Sequence, residues 1–468
     1  LNSLPTELIQ SLQNLKGFDE EAFKAVHQSG IQLTSVRLNP GKIFNIQYSI
    51  FNVQLGAIPW SSSGFYLSER PSFTLDPLFH AGAYYVQEAS SMFLEEVLKQ
   101  SVDLTRPLKV LDLCAAPGGK STLIQSVISS DSLLVSNEVI KSRVNILAEN
   151  ITKWGGANVI VTNNDPKDFQ RLSNYFDVIV VDAPCSGSGL FRKDPDAIHE
   201  WSKKNVALCA QRQQRILADI LPSLKSGGIL IYSTCSYSEQ EDEEIEDWLA
   251  DECKVESLQL KVEEYRGIVE TVSERSGSFG YRFYPDKVKG EGFFIAAFRK
   301  PGNMVTMHEV KKPTRALREK EKVKTSQAIT VKEMETLKPY LINADNYFYI
   351  VQNEEAIAIP VHLENDLAFI QSSLYIKKAG VRLGTIIRNE LIPAHDLAVS
   401  NIIDHTLPKI EVNIETALQY LRKADIAIET ANKGWALLTY QQLPLGWLKI
   451  MANRSNNYYP AAWRILNK

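Results

Sequence analysis

Between Leu108 and Lys300 the chain carries six short apolar runs, rich in Val, Ile and Leu, separated by stretches with helical spacing. They are LKVLDLC, SLLVSNE, NVIVTNND, FDVIVVDAP, GGILIYSTC and GEGFFIAAFRK. Strands apolar on both faces must be covered on both sides, and alternating them with helices gives a buried parallel sheet. The pattern predicts an α/β, Rossmann-like core, with the sixth run as an added strand that closes it.

Three motifs sit at the ends of these predicted strands. The first run leads into the glycine-rich loop DLCAAPGGKS, Asp112 to Ser121. Ligands of open α/β sheets bind beyond the carboxyl ends of the strands, near this first turn. Small residues (Cys114, Ala115, Ala116, Pro117, Gly118, Gly119) let backbone approach a ligand closely, and the next helix offers free amides. The loop is neither GxxxxGK[ST] nor GxGxxG, which disfavours a phosphate cradle. Acidic residues end the next three strands: Glu138, Asp165 and Asp182. A carboxylate after the second strand suits ribose hydroxyls, and one after the third suits an adenine amino group. Any one of them serves equally well as a helix N-cap; three together point to a nucleoside site. Nucleoside binding without a phosphate site points to S-adenosylmethionine.

The other two motifs hold thiols. Cys185 follows the fourth strand in DAPCSGSG, and Cys235 follows the fifth in STCSYS. Neighbouring strands lie about 4.8 Å apart, so both thiols can reach one substrate beside the cofactor. A thiol reacts as thiolate, so positive charge is expected nearby, from Lys120, Arg192 or Lys193. The seven acids between Glu239 and Asp247 would oppose ionisation if they faced the site. They are expected instead as exposed first turns of the next helix. Carbon 5 of a pyrimidine is a poor nucleophile. Thiolate addition at carbon 6 makes it an enamine able to attack a methyl donor, and Asp182 is placed to stabilise charge at N3. The carbon-5 proton must then leave and the thiol be expelled, with a second thiol or a water to assist. Which cysteine attacks is not decided by the residues themselves.

A chain of 468 residues exceeds one ordinary core, and 44% hydrophobic with 23% charged residues fits a soluble globular protein. No apolar run approaches the roughly 18 residues of a membrane span, and no signal peptide is expected. Five scattered cysteines without CxxC spacing argue against disulfides or a metal site and for a reducing cytoplasmic setting. A net charge of −4 gives no global nucleic-acid signal, so any RNA contact must be local. The expected domains are an N-terminal α+β RNA-binding module (1–83), the core (84–305), a basic linker (306–329) and two small β-rich lobes (330–407 and 408–468). Lys311 to Lys324 holds seven basic residues against two acidic ones, as a solvated linker or an RNA-backbone strip. No coiled-coil heptads appear, which suggests a monomer.

The motifs HAGAYYVQEASSMF, DLCAAPGGKS, NEVIKSR, DAPCSGSGLFRKDP, YSTCSYS and EGFFIAAFRK resemble those of the Sun-family (Nol/Nop/Sun) RNA cytosine-5 methyltransferases. IKKAGVRLGTI, and KGWALLTYQQLPLGWLKI followed by NNYYPAAWRI, resemble the RsmF-like bacterial small-subunit rRNA branch, the latter its PUA-like domain. The resemblance implies S-adenosylmethionine as cofactor and cytosine carbon 5 in small-subunit (16S) rRNA as target, near the decoding region. It implies the nucleophile is the TCS cysteine, Cys235, with Cys185 of PCS in product release. It places cofactor contacts at Cys114 through Lys120, Glu138, Asp165 and Asp182. Many members carry His where this chain has Asp286, so that residue receives no role.

RNA recognition favours unpaired bases, aromatic stacking and basic phosphate contacts. Lys120, Arg192 and Lys193 suit that role, although Arg192 and Lys193 could equally pair with Asp194 or Asp196. Tyr458, Tyr459, Trp463 and Arg464 could form a stacking surface or pack the last lobe. A tRNA cytosine-5 methyltransferase, a base-nitrogen methyltransferase and a non-catalytic ribosome-assembly factor stay open as alternatives.

Overall fold

The computed structural model describes residues 4–42, 54–302, 327–428 and 433–466; the basic run at 311–324 lies outside them. Two amphipathic helices, Thr6–Leu12 and Glu20–Gln28, open the chain. Asp19 caps the second by accepting from the Ala22 amide. A four-stranded sheet follows, in the order β2-β3-β1-β4, built from β1 (Thr34–Leu38), β2 (Gln54–Ala57), β3 (Gly64–Leu67) and β4 (Tyr84–Val86).

The six apolar runs form strands of a ten-stranded sheet. Its parallel centre holds β5 (Lys109–Asp112), β6 (Leu133–Asn137), β7 (Val159–Thr162), β8 (Phe176–Asp182) and β9 (Leu224–Thr234), ordered β9-β8-β5-β6-β7. Beyond β9 an antiparallel flank adds β10 (Glu256–Ser257), β11 (Val269–Val272), β12 (Phe279–Phe283) and β13 (Phe293–Arg299). The strand order reverses between β5 and β8, which opens the crevice used by ligands of such sheets.

Each strand is buried on both sides, as its unbroken apolar run requires. Val110, Leu134, Val178 and Ile231 face one core, closed by the helices Leu94–Ser101, Gly119–Val127 and Lys141–Trp154. Leu111, Val135, Ile179 and Leu230 face the other, closed by Lys203–Ile220 and Glu243–Asp251.

The first C-terminal lobe is built into this second core. Ile357, Ile359, Leu367 and Ile370 join it, and strand Ile376–Ala379 pairs antiparallel with β7 as the tenth strand. Asp366 of this lobe accepts from Lys109 Nζ and Tyr175 Oη, both at 2.5 Å. The last lobe pairs strands Gly434–Tyr440 and Leu443–Ile450 as a hairpin. It packs Tyr420, Leu438, Leu448 and Tyr459 against Val36, Leu67 and Tyr84 of the N-terminal sheet. The C-terminal aromatics therefore pack instead of forming a stacking surface. Tyr459 is 1% exposed, with its ring against His395, while Trp463 meets His395 and Tyr458 meets Trp435. Among the described residues no helix is long and apolar enough to cross a membrane.

Candidate active site

The loop after β5 is held from three sides. The Leu113 amide donates to Val180 O and the Ala115 amide to Asn137 O, tying it to the strands on either side. Arg143 and Asn150, on the helix after β6, donate to the carbonyls of Ala116 and Pro117 at 2.6 and 2.8 Å. Gly118 takes φ +119°, a conformation that side chains disfavour, and turns the chain into the helix Gly119–Val127. The Ala116 and Pro117 carbonyls are occupied by these bonds, and the side chains of the loop are small.

Arg37 adds a fourth tie that sequence reasoning missed. Its guanidinium, 1% exposed, donates to Gln87 Oε1 (2.8 Å), Thr122 Oγ1 (2.6 Å) and Gly119 O (3.2 Å), and lies 4.5 Å from the Trp154 ring. The N-terminal sheet is thereby fastened to the helix that follows the glycine-rich loop. Burial lowers the Arg37 pKa to about 9. The available signal was a lone charge in the short strand TSVRL.

The cleft at this loop is lined by Cys114 to Pro117, Gly119, Lys120 and Asp182, and opposite them by Tyr85, Gln87, Glu88 and Ser91. Asp112, fully buried, receives Ser121 Oγ on one oxygen (2.6 Å), while its Oδ1 has no partner. Burial pushes its carboxyl up to about 7. Burial first, with Asp112, Asp182 and Glu138 adding to it, pushes the Cys114 thiol up, so Cys114 stays a protonated packing group. Glu138 ends β6 with 3% exposure, accepting from the Ile140 amide and facing Arg143 at 3.5 Å. Asp165 is exposed and caps its own turn, accepting from the Lys167 amide at 3.1 Å. The structure thus gathers the loop, Lys120 and Asp182 in one cleft, with Glu138 and Asp165 farther along the strand ends. A Cβ-poor cradle and an unpartnered buried carboxylate oxygen fit a nucleoside-bearing cofactor.

The two thiols meet beside this cleft. Cys185 and Cys235 leave the paired strands β8 and β9, and their Sγ atoms lie 3.0 Å apart. Gly189 makes this possible, because a Cβ there would stand 2.7 Å from Cys235 O and 2.5 Å from Gly292 O. Lys120 Nζ pairs with Asp182 Oδ2 at 2.7 Å, and Ser233 Oγ donates to Asp182 Oδ1 at 2.8 Å. The Asp182 carboxylate is therefore fixed at the mouth of the site. Cys235 is among the charges that act on Lys120, so an ammonium stands within electrostatic reach of that thiol. The hydrogen bond to Cys235, followed by burial, pushes the Cys185 thiol up.

Two expectations change here. Arg192 does not present its charge to solvent. Its side chain is 5% exposed, faces Glu291 at 3.5 Å and donates to the carbonyls of Gly290 and Ile31. That pairing links distant segments, beyond the reach of a reading limited to nearby Asp194 and Asp196. Lys193 alone of the two is exposed. The acidic run is not a solvated helix start either: Glu241, Asp242 and Glu246 are each fully buried. Asp242 and Glu243 pair with the buried Arg282, and Glu241 binds the two cysteine loops. Arg282 comes from β12, and no local pattern announces that partner.

Comparison with known proteins agrees with this geometry. Residues 100–299 match the family model of 16S rRNA methyltransferase RsmB/F. Residues 4–89 match the N-terminal domain of 16S rRNA methyltransferase RsmF, and residues 407–465 the methyltransferase RsmF PUA domain. The chain is 35% identical over 320 residues to ribosomal RNA small subunit methyltransferase F of Pectobacterium atrosepticum, covering 64% of each. It is 30% identical over 450 residues to the protein of that name from Aeromonas salmonicida, covering 91% of this chain and 90% of that one. Among solved structures, a methyltransferase homolog protein from Pyrococcus horikoshii is 30% identical, with TM-score 0.51, covering 64% of this chain and all of that one.

Proposed function

The chain belongs to the ribosomal RNA small subunit methyltransferase F family, and from that premise we propose that Cys235 is the nucleophile with which it methylates carbon 5 of a cytosine in 16S rRNA. The family's reaction is S-adenosylmethionine-dependent rRNA methylation. The observation that carries the covalent route is the pair of thiols 3.0 Å apart beside the Lys120–Asp182 pair. Methylation of an exocyclic amine needs neither thiol.

S-adenosylmethionine supplies an electrophilic methyl group. Cys114 through Lys120, Glu138 and Asp165 are the residues that would hold it, with the Asp112 carboxyl beneath the loop. The chain's own groups do the rest. The Cys235 thiolate adds to carbon 6 of the cytosine, with Lys120 favouring the thiolate. Addition at carbon 6 pushes electrons onto N3. Asp182, fixed by Lys120 and Ser233, meets N3 and hands it a proton, which leaves carbon 5 as the nucleophilic end of an enamine; Asp182 takes that proton back when the adduct collapses. After methyl transfer the carbon-5 proton leaves to a base and the carbon 6–sulfur bond breaks, returning Cys235. Cys185 stands at contact distance to assist that release. Lys193 is the exposed cation beside the catalytic loop that serves the RNA backbone. The substrate is the small ribosomal subunit or its rRNA, met in the cytoplasm by a monomer.

Bisulfite sequencing of total RNA from cells with and without this gene tests the reading. Loss of one or a few protected cytosines in small-subunit rRNA is expected. Loss confined to tRNA would move the substrate, and unchanged protection at every cytosine would refute carbon-5 methylation.

A further inference from the structure

Cys185 and Cys235 are chemically the same group, yet the proposed reaction asks opposite things of them. Resting on that reading, we infer that Glu241 is the positioning residue that holds the two cysteine loops, and with them both thiols, in one constellation.

Glu241 is fully buried, and its carboxylate receives four donors. They are the Ser186 amide (2.8 Å), Ser186 Oγ (2.5 Å), Ser236 Oγ (2.7 Å) and Gln213 Nε2 (3.2 Å). Ser186 follows Cys185 and Ser236 follows Cys235. One carboxylate therefore clasps both cysteine loops by the residue next to each thiol. Gln213 Nε2 also donates to Pro184 O at 3.2 Å, and Tyr232 Oη bridges Gln213 Oε1 (3.0 Å) to the Glu241 carbonyl (2.6 Å). The clasp is anchored in the core and reaches the loop on both sides of Cys185.

A carboxylate suits this place because it only accepts, and bonds to its charged form are the stronger ones. A glutamine would turn an NH2 group toward donors. The same carboxylate also acts on the Cys185 thiol. Cys185, enclosed with Cys235 and Tyr232, feels Glu241 among the effects that disfavour its thiolate. Cys235 has the Lys120–Asp182 pair on its cleft side. Contact with Cys235 and burial, with Glu241 adding to them, keep Cys185 a thiol.

The test compares wild type with Glu241→Gln and Glu241→Asp in the full chain. Readouts are kcat and KM for S-adenosylmethionine with rRNA, and the pH dependence of alkylation at Cys185 and Cys235 by iodoacetamide, followed by peptide mass spectrometry. In Glu241→Gln we expect kcat to fall at least tenfold with KM within twofold, and Cys185 to alkylate at lower pH than in wild type. Glu241→Asp is expected to recover part of kcat. Turnover within twofold of wild type, with an unchanged Cys185 profile, would overturn the inference. If Glu241→Gln does not fold, Ser186→Ala and Ser236→Ala each remove one arm of the clasp. A fivefold loss of kcat in either, at unchanged melting temperature, supports the inference; wild-type turnover in both overturns it. A wild-type enzyme that transfers no methyl group and forms no covalent adduct with 5-fluorocytosine RNA would instead remove the underlying reading.

Discussion

In the proposed reaction each thiol of the pair answers a different demand, and single substitutions separate them. Cys235→Ala is expected to lower methyl transfer roughly a thousandfold or more, since the addition step loses the thiol proposed to carry it. Cys185→Ala is expected to leave addition intact and slow release. An RNA–protein band should then build up on denaturing gels with unmodified rRNA; a clean gel from an active variant would count against the release role. The motifs themselves were visible in the sequence because both cysteines end apolar strands in distinctive tripeptides. Their 3.0 Å separation was not, since it depends on β8 and β9 pairing and on Gly189 admitting three backbone segments to one place. Arg192 shows the limit of local reading: its partner Glu291 lies in another segment, just before β13.

At the scale of elements, the helix Glu364–Gln371 decides whether the first C-terminal lobe is an appendage or part of the core. Leu367 and Ile370 are buried in the cluster that also holds β8, β9 and the helix Lys203–Ile220. Strand Ile376–Ala379 covers the edge of β7, which would otherwise present unpaired backbone groups. Leu367→Ala is expected to cost about 2–5 kcal/mol and to lower the melting of the whole methyltransferase core. Calorimetry and the near-ultraviolet signal of the core should report one transition moving together; a lobe that melts by itself with the core transition unmoved would refute the coupling. The apolar spacing of DLAFI was legible, but which surface it covers was not, because periodicity names a buried face without naming its neighbour.

For the molecule as a whole, the two ends of the chain meet. The last lobe packs on the N-terminal sheet, and His395 lies at the seam against Tyr459 and Trp463, with neither ring nitrogen partnered. Burial depresses its pKa to about 3, opposed by Asp396 and reinforced by Lys153, Lys42 and Arg382. A histidine held below its unfolded value of about 6.5 binds fewer protons when native, so its stabilising share is whole above pH 6.5 and is lost as pH falls. His395→Phe removes that titration. Between pH 7 and pH 5 the variant should gain about 2 kcal/mol relative to wild type. Urea midpoints at the two pH values measure it, and a pH-independent difference would show that His395 protonates freely in the fold.

The sequence alone determined the α/β core and the family, and put the glycine-rich loop and both cysteines at strand ends, because these rest on local order: apolar runs, strand-end residues and contiguous motifs. Tertiary structure alone decided what the charges do. Glu241 and Asp242 read as part of a solvated helix start and are instead buried, since the groups that meet them, Ser186, Gln213 and Arg282, come from separate segments. Arg37 and Arg192 likewise turn inward onto distant partners. A run of apolar side chains states its own burial, whereas a charge can be buried only by a partner, and the fold determines where that partner stands.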